Sequence, residues 1–224
     1  MTETLTTIVD VDDVEDVEEE RFVFEDADWA FYELILKRVG DRRIFVTFDG
    51  ERLEVMSPSP LHERHTSKIE KLVWLLTMEL RIPFESMGSF TLKKRKAKRG
   101  LEPDRCFYTK NSAAIRGKRK IDLRKDPPPD LAIEIEVSRR LLDRIEVYRR
   151  LGVPEVWCYD GRRLRVLVLA EGAGYKDVER SPTFPELPLE EVHRLLELSW
   201  GMGELEWTTA VQTWIRNHLR RPRR

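Results

Sequence analysis

Cysteine is nearly missing from this 224-residue sequence: there are two, Cys106 and Cys158. They stand far apart in strand-like runs, which fits reduced core thiols and excludes a disulfide-stapled scaffold. Net charge is missing too. Forty basic residues face forty-one acidic ones, a formal charge of −1, so the global balance neither argues for a nucleic-acid partner nor excludes one, and local patches must decide. No apolar run approaches the ~18 residues of a membrane span. The acidic start lacks the basic end and apolar core of a signal peptide, so the expected location is the cytoplasm, with no membrane contact. Internal repeats and a glycine-rich phosphate loop are absent as well. What is there, 41% hydrophobic and 36% charged residues, is the make-up of one large globular domain with tails.

The rest of the chain is organised around residues 129–160, PDLAIEIEVSRRLLDRIEVYRRLGVPEVWCYD. Pro129 can open a strand, in which Leu131, Ile133, Ile135 and Val137 alternate with Asp130, Ala132, Glu134 and Glu136. So apolar a run reads as an interior strand, where an isolated carboxylate is costly unless it is paired, protonated or bound to a metal. Leu141, Leu142, Ile145, Tyr148 and Leu151 then recur at helical spacing up to a capping Gly152, and Val153–Tyr159 returns to strand composition. Strand, helix and strand make a βαβ unit with parallel strands and a right-handed crossover. Ligands of such sheets bind near the carboxyl ends of the strands, and that is where Glu134 and Glu136 fall.

Residues 1–24 read as a flexible acidic tail, either solubilising or, more sharply, an autoinhibitory mimic of a polyanion. The main domain is expected over residues 25–200, and a terminal helix with a basic tail, RRPRR, over 201–224. Asp26 or Asp28 caps a first helix ending near Gly40, and a hairpin turns at Asp49-Gly50. Ser57-Pro58-Ser59-Pro60 leads into a long helix to about Leu80 whose first turn carries His62, Glu63 and His65. Their spacing is not the HExxH zinc pattern, and no third ligand is in view. A strand is expected over residues 84–92, a hairpin partner over Leu164–Leu169, a short helix over Leu189–Leu198 and a last helix over about Glu204–Leu219.

Lys93, Lys94, Arg95, Lys96, Lys98 and Arg99 crowd into one loop, either a solvated face or a contact for nucleic-acid phosphates. A second proline-aspartate strand entry, Pro103-Asp104, follows at once. If the two strands so entered are neighbours, Asp104 faces Glu134 and Glu136 across the sheet. Three such carboxylates suit Mg²⁺ or Mn²⁺, which lower the pKa of a bound water and neutralise charge on a transferring phosphoryl group.

EVMSPSPLHER, RGLEPDRCFY, DPPPDLAIEIEVS and LDRIEVYRRLGVPEVWCYDGRRLRVLVL, in that order, resemble the Uma-two family of the PD-(D/E)xK restriction-endonuclease-like superfamily. The resemblance implies an α/β fold, a mixed sheet flanked by helices with a restriction-endonuclease-like core, and metal-dependent cleavage of phosphodiesters in DNA. It makes Asp104 the superfamily's first aspartate and Glu134 the acidic residue of the (D/E)xK strand. Glu136 stands where the superfamily has lysine. The family supplies a cation from the following helix, four residues before a tyrosine; here that is Arg144, before Tyr148. Arginine is effectively never a base, so Arg144 would support developing negative charge while Asp104, Glu134 and Glu136 hold the ion. Glu63, Asp130 and Tyr148 are accessory candidates, Asp130 reading first as a turn-making strand entry and Tyr148 as core. A homodimer follows from the resemblance alone. The alternative is a catalytically degenerate nuclease-fold protein that binds nucleic acid or a protein partner, and a third reading is a zinc hydrolase through His62 and His65.

Overall fold

The computed structural model describes residues 19–138 and 141–219. In chain order these form β1 (Glu20–Phe24), α1 (Trp29–Val39), β2 (Phe45–Phe48), β3 (Leu53–Ser57), α2 (Pro60–Leu80), β4 (Glu85–Gly88), β5 (Leu92–Lys94), β6 (Arg99–Leu101), β7 (Arg105–Tyr108), the one-turn α3 (Ser112–Ile115), β8 (Leu131–Ile135), α4 (Arg144–Leu151), β9 (Glu155–Tyr159), β10 (Leu164–Ala170), β11 (Gly174–Val178), α5 (Leu189–Gly201) and α6 (Glu204–His218). The class is α/β, but the strands divide between two sheets, in the orders β1-β3-β2-β6-β5 and β11-β10-β9-β8-β7-β4. In the larger sheet β8 and β9 are parallel, as the βαβ reading requires, and the other pairs are antiparallel.

Local chemistry sets the boundaries near the site. Ser59 caps α2 by accepting the His62 amide at 3.2 Å, with Pro60 in the first turn where its missing N–H is no loss. Asp143 caps α4 by accepting the Glu146 amide at 3.0 Å, and Gly152, at φ 82°, ends it in a left-handed conformation that other residues rarely adopt. The core forms on both faces of the larger sheet. Leu131, Ile133 and Ile135 of β8 pack with Ile69, Leu72 and Leu76 of α2 and Trp207, Val211 and Ile215 of α6. On the other face Ala132 joins Val147, Tyr148 and Leu151 of α4. Full burial of each large apolar side chain contributes about 1.5–3 kcal/mol. Cys106 and Cys158 are buried free thiols.

Three expectations need correction. Residues 20–24 are not tail: β1 pairs antiparallel with β3 from Glu20↔Ser57 to Phe24↔Leu53, and backbone pairing to an edge overrides the acidic composition around it. Residues 1–18 lie outside the described residues, as does the RRPRR terminus. The strand expected over 84–92 is two, because Gly88, at φ 62°, turns the chain out of the larger sheet and Leu92 enters the smaller one. Finally, β11 adds to the expected elements; it pairs with β10 as an edge strand of mixed exposure. No helix among the described residues is long and apolar enough to cross a membrane.

Candidate active site

The pairing of β7 with β8 runs Phe107↔Leu131, Cys106↔Ala132 and Arg105↔Ile133, so the next step sets Asp104 opposite Glu134. Because side chains alternate along a strand, Glu134 points away from the α2 face and toward α4. There the helix supplies a cation. Arg144 donates to both carboxylate oxygens of Glu134, from Nε at 2.9 Å and Nη2 at 2.7 Å, a bidentate pair. Its Nη1 donates to the Thr47 hydroxyl on β2, and Nη2 also to the Glu102 carbonyl at 2.6 Å. Tyr148, one turn on, donates its hydroxyl to Glu134. The Arg144 and Glu134 side chains are only 4% and 1% exposed. Burial works against the Arg144 charge, but Glu134 beside it keeps the guanidinium protonated well above its usual range. Burial and then the Glu134 charge push the Tyr148 phenol upward likewise, so it is a donor and not a base.

Asp104 is held from another side. Its Oδ2 accepts the Ile135 amide at 2.6 Å, and its Oδ1 lies 3.0 Å from Nε2 of His62, which α2 brings in from its first turn. The two form a buried ion pair, although the contact departs from hydrogen-bond geometry. The other ring nitrogen, Nδ1, is 2.5 Å from Oε1 of Glu19. Glu19 Oε2 receives Arg21 Nη2 at 2.6 Å and the Ser138 hydroxyl, and Arg21 Nη1 reaches Glu54 at 2.9 Å. Burial lowers the affinity of His62 for a proton, but Asp104 and Glu19 outweigh it and raise its pKa to about 9. For Glu19, burial opposes ionisation, and its hydrogen bonds from His62, Ser138 and Arg21 prevail, lowering its pKa to about 2. Asp104 is also held below its ordinary value, against burial, chiefly by the charge of His62.

Asp104, Glu134, Arg144 and Tyr148 thus meet as the sequence suggests, and Arg144 pairs with Glu134 rather than with Glu136 or Asp143. Glu136, half-buried just past β8, donates its amide to the Tyr159 carbonyl at 2.7 Å. Asp130 is elsewhere, accepting the Thr109 and Asn111 amides at 2.8 and 2.9 Å, a turn-making role. Glu63 turns outward to Arg43. His65 does not join His62; it packs its ring on Tyr159 and Trp200, at 5.2 and 5.8 Å between centroids, which removes the two-histidine zinc reading. In the basic segment Lys93, Arg95, Lys96 and Lys98 are exposed on the β5–β6 hairpin, Lys93 reaching Glu33 at 3.3 Å, while Lys94 donates to the Leu151 carbonyl at 2.5 Å and Arg99 to the Lys98 carbonyl at 2.9 Å. Sequence reasoning weighed His62 only as a zinc ligand beside His65, not as the partner of Asp104, and missed Glu19. The place of His62 at a helix start just after a hairpin was a usable signal; nothing in the composition marked Glu19.

Among the described residues, no group of three or more His, Cys, Asp or Glu side chains is arranged to hold a metal ion. The three-carboxylate centre is therefore not formed. Glu134 is closed to a cation by Arg144 and Tyr148. A divalent ion at Asp104 would take the place of His62, whose Nε2 faces Oδ1 at 3.0 Å.

No curated protein matches the chain. Among solved structures it is similar to a protein from Anabaena variabilis ATCC 29413 described as "a putative nuclease belonging to DUF820", at 14% identity and a TM-score of 0.51, over 74% of this chain and 98% of that one. At that identity the likeness speaks for the fold. The Uma2 family model, "Putative restriction endonuclease", matches residues 30–201, well over half of the sequence, and the chain belongs to that family.

Proposed function

We propose that the chain is a metal-dependent endonuclease that hydrolyses phosphodiester bonds in DNA, with Mg²⁺ or Mn²⁺ as cofactor. The observation that supports this best is the buried bidentate pair of Arg144 with Glu134, directly across the sheet from Asp104. A strand that carries Glu136 in place of lysine has its cation delivered to the acidic centre from the following helix. Asp104 would hold the ion through Oδ1, and Glu136 is a candidate second carboxylate. When bound, such an ion lowers the pKa of a water and neutralises charge on the phosphoryl group. Arg144, protonated and fixed by Glu134, Thr47 and Glu102, contributes a standing positive charge and accepts no proton. Tyr148 orients Glu134. The exposed Arg95, Lys96 and Lys98 would contact backbone phosphates, and a second copy would present a second site to the other strand.

The burial of the carboxylates favours one further reading: with Asp104 and Glu134 each 1% exposed, this conformation admits no substrate, as expected of a degenerate nuclease-fold protein that binds nucleic acid or a partner. Supercoiled plasmid separates the two. The nuclease nicks it with Mg²⁺ or Mn²⁺ and not with EDTA, and the nicking disappears in Asp104→Asn and Glu134→Gln proteins that still melt cooperatively. A folded wild type that is inert with every divalent metal on duplex DNA, single strands and RNA would leave the binding reading standing.

A further inference from the structure

Two basic segments that are separate in the sequence meet at one cleft. The β5–β6 hairpin contributes Lys93 and Arg95 to its lining, and the loop between α3 and β8 contributes Ile121, Leu123 and Arg124. Trp29, at the start of α1, lines the same cleft and is fixed by edge-on packing against Tyr32 and Phe48, at 5.2 and 6.0 Å between centroids. The acids of the lining are taken, Glu33 by Lys93 at 3.3 Å and Asp122 by Arg124 at 2.6 Å. Arg95 is not. Among the described residues it forms no ion pair, and neither do Lys96 and Lys98 beyond it on the hairpin, nor Arg119, Lys120 and Lys125 on the loop; all six are exposed. So much uncompensated positive charge around one cleft calls for an anionic ligand.

We propose that this cleft binds one unpaired nucleotide of a single-stranded nucleic acid, its base against Trp29 and its phosphate at Arg95, with neighbouring phosphates along the hairpin and the loop. The inference rests on the reading of the chain as a nuclease and adds the form of nucleic acid it takes. The cleft, about 340 Å³, is at the small end of ligand sites: it has room for a nucleotide unit and none for a duplex. An aromatic ring beside a track of cations is how single strands are held without regard to sequence, since every base has a face to stack and every phosphate a charge to neutralise. The cations also continue past the cleft along both segments. A mononucleotide would leave most of them unused, whereas a strand would span them.

The test is the binding of a labelled oligothymidylate of about 12 nucleotides to the full chain in EDTA, where no cleavage intervenes, read by fluorescence anisotropy across a salt series. The single strand is expected to bind more tightly than a duplex of the same length and to quench tryptophan emission. Trp29→Leu should weaken binding about 10-fold with the salt slope kept, because it removes stacking and no charge. Arg119→Ala with Lys120→Ala should lower the slope of log K against log salt by about 0.7 for each phosphate no longer neutralised. Those two residues lie exposed on the loop, so this arm stands even where Trp29→Leu fails to fold. A duplex bound as tightly as the single strand, thymidine monophosphate bound as tightly as the oligonucleotide, or both folded variants binding as wild type does would each overturn the proposal. A single strand held in this way by a protein that cuts nothing with Mg²⁺ or Mn²⁺ would instead overturn the nuclease reading alone.

Discussion

Arg144 joins three elements through one side chain: Glu134 on β8, Thr47 on β2 and the carbonyl of Glu102 before β7. Removing it takes the bidentate counter-charge away from a Glu134 that stays buried. Arg144→Ala is therefore expected to cost about 3–5 kcal/mol, read in urea denaturation, and in a chain of this size each kcal/mol lowers Tm by about 2–4 °C. Replacing both partners with apolar residues, as in Arg144→Met with Glu134→Leu, should cost much less, since neither charge is then stranded. Equal losses for the single and double variants would show that the pair does not hold these elements together. His65 carries a pH dependence of its own. Burial between Tyr159 and Trp200, aided by the charge of Arg64, lowers its pKa to about 4, from about 6.5 in an unfolded chain. Between those values the unfolded chain takes up a proton that the native one refuses. The stability His65 allows is thus complete above pH 6.5 and declines as pH falls toward 4, by at most about 1.4 kcal/mol per pH unit. Denaturation at pH 7.5, 5.5 and 4.5 should show that decline in the wild type and a shallower one in His65→Phe.

At the scale of elements, β1 decides more than its five residues suggest. It covers the edge of β3, and Arg21 within it pairs with Glu54, which is 1% exposed and also accepts the Leu141 amide at 3.2 Å. A chain beginning at Glu25 loses the edge pairing, strands Glu54 and frees His62 from Glu19. It should melt several degrees below a chain beginning at Glu19, since one broken buried pair alone costs about 3–5 kcal/mol. Matching melting curves would mean that β1 merely lies on the surface. The helices were more legible than this strand. α1, α2 and α4 carry their caps in sequence, at Asp28, Ser59 and Asp143, and their apolar residues recur at helical spacing. A five-residue edge strand has only short alternation to show, and Glu20–Phe24 is preceded by enough acid to read as solvated chain.

For the whole molecule, the balance of charge hides a local asymmetry. Arg95, Lys96 and Lys98 stand exposed on the hairpin between β5 and β6, and β6 runs through Glu102-Pro103 to Asp104, so these cations and the site belong to one short stretch of chain. Changing all three to alanine should weaken duplex binding by a similar factor for every sequence. The slope of log K against log salt should fall by about 0.9 for each phosphate that is no longer neutralised. An unchanged slope would place the DNA surface elsewhere.

What the sequence determined by itself was whatever its local patterns encode. Those patterns sufficed for the βαβ unit around Glu134 and for the strand entry at Asp104, while the cation at Arg144 four residues before Tyr148 came from the family resemblance. Only the tertiary structure decided the partners. It gave Glu134 to Arg144 and Tyr148, gave Asp130 to the Thr109–Asn111 turn, split the strands between two sheets, and carried His62 and Glu19 to Asp104 from 42 and 85 residues away. Periodicity reports which face of an element is buried. It does not report what lies across the boundary, because that is settled by how the elements pack.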